Sequence, residues 1–377
     1  MSLSLLPKLN YLFNKVNSRY CSTGNSRISS RSQYFEIYFG KGLILNKRNI
    51  NNNILDQYGR IFDYARISVN EKCNLRCLYC MPEDGINFLP NDKLLNLKEF
   101  KFIIKVLSES GIKKIRFTGG EPLLNKDIFS LIDYSFKTGV KSVYLTTNGL
   151  LLNQKAKQLK ESGLTGINIS LDTLDHQKFI QITRREGLDK VLQGLNHSIS
   201  LGFSSIKLNV VLLKTFNQNE INDFIELTKD NNITVRFIEL MPFDSHQIWK
   251  TGNFIGIDLI EKLIKSNYSN LEIATGSKTE HKIYQITGYK GKVGIIPAFS
   301  RTLCDKCNRI RITADGKLRN CLYSNNEFDL KKLINNGITH ENLALEIKKV
   351  MFTKEKDGWI AQNNGKKIRE SMTQIGG

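Results

Sequence analysis

No apolar run in the 377 residues reaches membrane-spanning length, which leaves no candidate helical span and points to a soluble protein with a sizeable core. Acidic residues are missing from Met1 to Gln33, although the chain as a whole carries 36 Asp and Glu against 55 Lys and Arg. Cysteine is scarce outside two groups of three. Of seven cysteines only Cys21 stands apart, and that distribution in a chain of this size argues against a disulfide framework and for metal sites.

The acid-free segment carries Lys8, Lys15, Arg19, Arg27 and Arg31, while Leu9, Leu12, Phe13, Val16 and Tyr20 recur at helical spacing ahead of a Ser-rich stretch. This is the pattern of an organellar transit peptide, so import into the mitochondrial matrix is expected; a disordered basic tail is the alternative. An Asn-rich linker spans Asn46 to Asn53. The chain beyond it is still basic, which suits an anionic small molecule or a nucleic acid without choosing between them.

From Ala65 to Met241 short Val- and Ile-rich runs alternate with longer amphipathic stretches. The spacing predicts strands at Ala65–Val69, Lys113–Thr118, Ser142–Thr147, Gly166–Leu171, Ile206–Leu212 and Thr234–Leu240. It predicts helices at Lys126–Thr138, Gln154–Ser162, Leu188–Leu201 and Gln218–Asp230. A further helix carries Phe100, Ile103, Ile104 and Leu107 behind Asn96 as N-cap, with Glu99 three residues on, and ends at Gly111. Six βα units require parallel strands with right-handed crossovers, so the expected fold class is α/β: an open, partial (β/α)6 barrel with its active site at the C-terminal strand ends. The expected division is transit peptide and linker over 1–59, barrel over 60–300, and a C-terminal metal-binding extension over 301–377.

The run Cys73-Asn-Leu-Arg-Cys77-Leu-Tyr-Cys80 comes directly after the first predicted strand. Three thiolates hold three irons of a cubane and leave the fourth open, whereas a structural zinc site would need a fourth ligand, and no His lies near. The second strand runs into Thr118-Gly119-Gly120-Glu121-Pro122, where two glycines permit close backbone approach to a ligand and Glu121 can accept from an ammonium group. Later strand ends contribute Thr146-Thr147-Asn148, Ser170-Leu171-Asp172 and Glu239-Leu240-Met241.

A second triad, Cys304, Cys307 and Cys321, surrounds Asp315-Gly316, a type I′ hairpin signal that would set Cys321 opposite Ile310. Zinc completed by a distant His281 or His340 stays open beside an iron-sulfur cluster. Arg309 and Arg311 alternate along the first arm and share a face, either solvated or facing an anionic ligand.

The first triad, with Tyr79 before its third cysteine, and the Gly-Gly-Glu-Pro turn resemble the radical S-adenosylmethionine superfamily. With both triads, Cys307-Asn-Arg309-Ile-Arg311, Ser170-Leu-Asp172 and the terminal Gly376-Gly377, residues 60 to 377 resemble the GTP 3′,8-cyclase family of molybdenum cofactor biosynthesis. The resemblance implies two 4Fe-4S clusters, on Cys73, Cys77 and Cys80 and on Cys304, Cys307 and Cys321. It implies S-adenosylmethionine on Tyr79, Gly120, Ser170 and Met241, and GTP on Arg66, Arg116, Thr146, Lys207, Arg309 and Arg311, the last two also serving catalysis. It further implies hydrogen removal from C3′ of GTP, bonding of C3′ to C8, a guanine ring at the second cluster, and a Gly-Gly tail entering the active site. The expected partners are GTP, an electron donor and a separate cyclic pyranopterin monophosphate synthase downstream; a homodimer is allowed, and no nucleic acid or membrane is expected. A radical peptide maturase shares the barrel and extra cysteines but ordinarily carries more of them. A metal-stabilised nucleic-acid binder accounts for the charge and leaves two open-valence triads unexplained.

Overall fold

Fully buried and half-exposed side chains alternate along Ser142–Thr147 and Ser205–Leu212, because one face packs on helices while the other meets a polar lumen. In the computed structural model, which describes residues 53–241, 253–274, 282–364 and 369–376, the strand Ser205–Leu212 shows this most cleanly. Ile206, Leu208, Val210 and Leu212 are buried, and Lys207, Asn209 and Val211 take the other phase. The basic segment on which the targeting expectation rests lies outside the described residues.

The repeating units are β1 (Tyr64–Ser68), α1 (Leu97–Glu109), β2 (Lys114–Thr118), α2 (Ile128–Lys137), β3 (Ser142–Thr147), α3 (Leu152–Glu161), β4 (Gly166–Ser170), α4 (His176–Thr183), α5 (Leu188–Ser200), β5 (Ser205–Leu212), α6 (Ile221–Asp230) and β6 (Thr234–Glu239). Each of the six predicted strands is present, displaced by no more than one residue. Helix α1 starts as its sequence requires. The Asn96 side chain accepts from the Lys98 and Glu99 amides, Glu99 reaches back to the Asn96 amide at 2.7 Å, and Gly111 leaves the helix at φ +90°. Helix α4, absent from the sequence-based expectation, is a short element capped by Asp175.

Past β6 come α7 (Ile257–Asn267), β7 (Leu271–Ala274), β8 (Lys282–Ile286), β9 (Lys292–Ile296), β10 (Arg309–Ile312), β11 (Lys317–Arg319) and β12 (Phe328–Asp329), then helices α8 (Leu330–Asn335), α9 (His340–Phe352) and α10 (Gly358–Asn363). The sheet order is β12-β11-β10-β1-β2-β3-β4-β5-β6-β9-β8-β7, so the barrel is open, as expected. The C-terminal chain extends the barrel sheet at both edges. Strand β9 pairs in parallel with β6 and β10 in parallel with β1, each continued outward by antiparallel neighbours.

The hairpin register differs from expectation. Arg311 pairs with Arg319 and Ile312 with Leu318, and the Lys317 carbonyl accepts from the Thr313 amide at 2.9 Å, leaving a three-residue loop, Ala314 to Gly316. Gly316 takes φ +77°, whereas Asp315 stays out of the left-handed region that a type I′ turn demands of both central residues. The Asp315 carboxylate instead accepts from the Thr313 hydroxyl at 2.5 Å. Continuing this register sets Cys321 across from Arg309, one residue away from Ile310.

Candidate active site

Register places the cations. Parallel pairing aligns Arg311 with Arg66 and Arg66 with Arg116, and in the adjoining row Arg309 with Tyr64 and Tyr64 with Lys114. Because side chains alternate along a strand, these rows share the lumen face. The lumen is therefore strongly positive. Although burial alone would push the Tyr64 phenol up, Arg116, Arg66, Arg309 and Lys114 together bring it down to about 7. Lys114 is lowered to about 8 by burial and then by Arg116. Rings spread this charge: Lys114 lies 4.2 Å from the Tyr144 centroid and Arg116 5.5 Å from that of Tyr64. Among the described residues Arg66, Arg116, Arg309 and Arg311 have no carboxylate partner, and such a set of buried and half-buried guanidinium groups suits an anionic ligand.

A cavity of about 340 Å³ brings the two triads and these cations together. It is lined by all six predicted cysteine ligands, by Tyr79, Gly120, Ser170 and Met241, and by Arg66, Arg116, Thr146, Arg309 and Arg311. Lys207 is not in that lining. It shares the lumen phase of β5 with the lining residues Asn209 and Val211 but stands one step nearer the N-terminal end, where it adds to the charge pressing on Lys114.

The first triad's loop is held from outside by the end of α4. The Arg76 and Leu78 amides donate to the Thr183 and Ile182 carbonyls at 2.9 Å each, and Arg184, in the left-handed region at φ 56°, donates to the Arg76 and Met81 carbonyls at 3.0 and 3.2 Å. Burial, then the charge of neighbouring thiols, pushes Cys77 well up and Cys80 up to about 12. Three such half-buried thiols, each pushed up, favour the thiolate form only beside a compensating cation, so the donor set fits iron. Among the described residues no three His, Cys, Asp or Glu side chains converge tightly enough for a single metal ion. A cubane spreads its thiolates over separate irons and needs no such convergence.

Tyr79 donates to Asp172 at 2.6 Å, and Asp172 also accepts from the Val211 amide at 2.8 Å, tying the triad loop to β4 and β5. Glu121 does other work than expected. Its carboxylate accepts from the Leu123 amide at 3.0 Å, the Thr147 hydroxyl at 2.7 Å and the Asn148 amide at 2.7 Å, so it joins the ends of β2 and β3, and it is not among the cavity-lining residues. The glycines before it serve the protein too. A Cβ at Gly119 would meet the Asn70 carbonyl at 2.4 Å and one at Gly120 the Lys72 carbonyl at 2.2 Å, so both allow the turn to pack on the segment entering the first triad.

The second triad is assembled from separate segments. Arg60 donates to the Cys304 carbonyl at 2.8 Å and to the Lys356 and Glu355 carbonyls at 2.7 and 2.6 Å, and the Gly358 amide points at the Cys304 sulfur at 3.4 Å. Lys354 is 3% exposed and donates to the Asn320 carbonyl. Burial opposes ionisation of Cys307, yet Lys354, Arg309 and Arg311 outweigh it and hold this thiol at about 7. Three thiols amid cations fit an anionic cluster. Sequence reasoning passed over Arg60, Arg236, Arg301 and Lys354, all cavity-lining. Arg236 had a signal, since it alternates with buried Val235 and Phe237 and so faces the lumen, where it donates to Asn168 at 2.9 Å. Arg301, stacked 3.8 Å from the Tyr323 centroid and 4.0 Å from that of Trp359, had none.

Comparison with known proteins agrees with this arrangement. Residues 67–228 match the model of the radical SAM superfamily, and residues 233–359 match the family described as Molybdenum Cofactor Synthesis C. A GTP 3′,8-cyclase of Chlorobaculum tepidum is 42% identical over 325 residues, covering 86% of this chain and 97% of that one. The molybdenum cofactor biosynthesis protein moc-5 of Caenorhabditis elegans is 43% identical over 304 residues, covering 80% of this chain and 50% of its own length. Streptococcus suis SuiB bound to S-adenosylmethionine shares the fold, with a TM-score of 0.55 at 13% identity over 80% of this chain and 68% of that one. The match to the Chlorobaculum tepidum enzyme over nearly its full length, with two cysteine triads on one cation-lined cavity, establishes that the chain belongs to the GTP 3′,8-cyclase family of the radical SAM superfamily.

Proposed function

We propose that this protein converts GTP to (8S)-3′,8-cyclo-7,8-dihydroguanosine 5′-triphosphate, the first step of molybdenum cofactor biosynthesis. The observation that carries the reading is that both triads and the Arg66, Arg116, Arg309 and Arg311 guanidinium groups line one cavity. When bound at Cys73, Cys77 and Cys80, a 4Fe-4S cluster with S-adenosylmethionine on its open iron supplies a 5′-deoxyadenosyl radical. The chain's own part is binding, orientation and exclusion. Arg66, Arg116, Arg309 and Arg311 hold the triphosphate through charge-assisted bonds, and Thr146 offers a hydroxyl to the same ligand. Tyr79, Gly120, Ser170 and Met241 line the portion of the wall assigned to S-adenosylmethionine. Enclosure keeps C3′ and C8 in near-attack geometry and bulk water away from a reactive centre.

Cys304, Cys307 and Cys321 would hold a second 4Fe-4S cluster whose open iron offers a point of attachment to the guanine ring. Support comes from the setting of Cys307, whose thiol is held down by Lys354, Arg309 and Arg311 in the cavity that all three cysteines line. An electron donor and a separate cyclic pyranopterin monophosphate synthase complete the reading. Anaerobic reconstitution tests it, with 5′-deoxyadenosine and cyclised nucleotide measured against GTP, ATP and a basic peptide. GTP-dependent formation of both is expected; formation with the peptide alone would favour a maturase instead. The matrix location is proposed on the basic N-terminal pattern, and a reporter fused to residues 1–40 is expected to enter mitochondria. Uniform cytosolic fluorescence would remove it.

A further inference from the structure

One guanidinium near the C-terminus reaches three acidic groups from three parts of the chain. Arg369 lies 2.9 Å from Asp315 and 2.7 Å from Glu327, and 3.8 Å from Glu71. Its side chain is 11% exposed, and those of Asp315, Glu327 and Glu71 are 10%, 8% and 1% exposed. Asp315 sits in the hairpin loop between Cys307 and Cys321, whereas Glu71 stands two residues before Cys73 and accepts from the Leu89 amide at 3.1 Å. Arg319 on β11 shares Glu327 at 2.7 Å. The cluster thus sets two cations among three carboxylates, and Arg369 alone reaches all three.

Beyond Arg369 the C-terminal tail runs past the first triad. The Ser371 hydroxyl donates to the Cys80 carbonyl at 2.8 Å, and the Met372 amide points at the same oxygen at 3.4 Å. Met372 and Thr373 line the cavity, and Ile375 is buried. Arg311 donates to the Gly376 carbonyl at 3.1 Å, and Gly376 takes φ +70° where a Cβ would stand 3.1 Å from the Thr118 hydroxyl and 3.2 Å from the Ser68 Cβ. Residues 370–376 form no strand with the sheet. The salt-bridged residue that begins this segment fixes its entry together with the Ser371 and Met372 contacts to the Cys80 carbonyl, and the Arg311 bond holds its far end.

We propose that Arg369 is the positioning residue that seats the C-terminal segment 370–376 in the cavity and ties that seating to the loops carrying both cysteine triads. A fork of donors suits this role and a lysine does not, because one ammonium cannot satisfy Asp315 and Glu327 in the geometry that the guanidinium meets with separate N–H groups. Released, the segment would withdraw two donors from the Cys80 carbonyl and the partner that Gly376 offers Arg311, and would open the cavity beside the first triad. The functional half of the proposal rests on the cyclase reading; the structural half does not.

The test uses the full chain with Arg369→Lys, which keeps the charge, and Arg369→Gln, which removes it. Hydrogen exchange is followed at the Met372, Gln374 and Ile375 amides and across β1 to β6. Seating by Arg369 predicts exchange about ten- to a hundredfold faster in the tail, with the sheet and the iron and sulfide content unchanged, as expected for loss of a charge-assisted contact. After reconstitution, the ratio of 5′-deoxyadenosine to cyclised nucleotide should rise in both variants. Tail exchange at the wild-type rate would overturn the proposal. So would acceleration spread evenly over the sheet in both variants, or loss of folding by both, since either makes Arg369 a general stabiliser. Faster tail exchange with an unchanged product ratio would sink the functional half, and absence of any cyclised nucleotide in the wild type would sink the cyclase reading while leaving the exchange result standing.

Discussion

Cys73, Cys77 and Cys80 lie on one short loop after β1, whereas Cys304, Cys307 and Cys321 are gathered by the Arg60 segment, β10, β11 and the stretch from Lys354 to Gly358. Their electrostatic settings also differ. Around the first triad the charge on Cys77 from Cys80 and Asp172 adds to burial, and its thiol is pushed up. Around the second, Lys354, Arg309 and Arg311 overcome burial of Cys307. At Cys307, therefore, protein cations that also face the cavity supply part of the compensation, whereas its neighbour Cys304 is pushed up by burial and by the adjacent thiols, as Cys77 is. A site of the first kind is a loop motif; one of the second kind exists only once the fold has formed.

The largest expected effects break this comparison directly. Cys73→Ala, Cys77→Ala or Cys80→Ala should abolish S-adenosylmethionine cleavage, because each removes one of three iron ligands. Cys304→Ala should abolish cyclisation yet retain cleavage, with iron and sulfide per chain falling by about half on the two-cluster reading. Loss of 5′-deoxyadenosine in a Cys304→Ala protein that keeps the first cluster's spectrum would show that the two sites are not separable. Next in size, Arg309→Ala should weaken GTP binding by about ten- to a hundredfold, roughly 1.5–3 kcal/mol for a lost charge-assisted contact, while both clusters stay in place. Wild-type affinity by equilibrium binding would remove Arg309 from the nucleotide site.

The two regions were also unequally legible. Short Val- and Ile-rich runs between longer amphipathic stretches marked β1 to β6, and Asn96 with Glu99 marked the start of α1, because those signals are local. The first triad was legible for the same reason. Beyond β6 the determinants are long-range. Nothing local tells Lys292–Ile296 to join Thr234–Glu239 in parallel, or Arg309–Ile312 to join Tyr64–Ser68. The hairpin register turned on whether Asp315 takes positive φ, and its contacts with Thr313 and Arg369, the latter far along the chain, accompany the other choice. Glu121 looked like a ligand because a carboxylate can accept from an ammonium group; its partners Thr147 and Asn148 lie at the next strand's end. Arg301 and Lys354 entered the cavity through packing that no pattern announces.

A smaller effect should distinguish the outer supports. Arg184→Ala removes the guanidinium bonds to the Arg76 and Met81 carbonyls and leaves a residue with a side chain in the left-handed region, costing about 1.5–3 kcal/mol. Arg184→Gly should be milder by roughly 1–2 kcal/mol, since glycine carries no such backbone penalty. Both should speed iron loss from the first triad alone, followed by the decay of each cluster's signal under a chelator. Equal loss at both sites would contradict a local seat.

The smallest expected effect concerns the dispersed triad and separates backbone strain from packing. Gly316, in the hairpin loop, and Gly337, between α8 and α9, share nearly the same φ, at +77° and +78°. An added Cβ would find nothing within 4 Å at Gly337, but at Gly316 it would meet the Lys331 Cβ at 2.8 Å and a Leu95 methyl at 2.9 Å. Gly337→Ala should therefore cost the left-handed penalty alone, about 1–2 kcal/mol. Gly316→Ala should cost more, because Leu95 and Lys331 are already anchored: the Leu95 amide donates to the Ala314 carbonyl at 2.8 Å, and the Lys331 ammonium reaches the Asp92 carbonyl at 2.7 Å. The hairpin cannot yield without moving Arg311 on one arm or Cys321 beyond the other, so the excess should appear at the second site as faster iron loss. Denaturant midpoints give the two costs and chelator kinetics their location. If Gly316→Ala and Gly337→Ala lowered stability equally and left both sites' iron retention unchanged, the second triad would not depend on the hairpin's seating, and the contrast between a local and a dispersed site would lose its mechanical half.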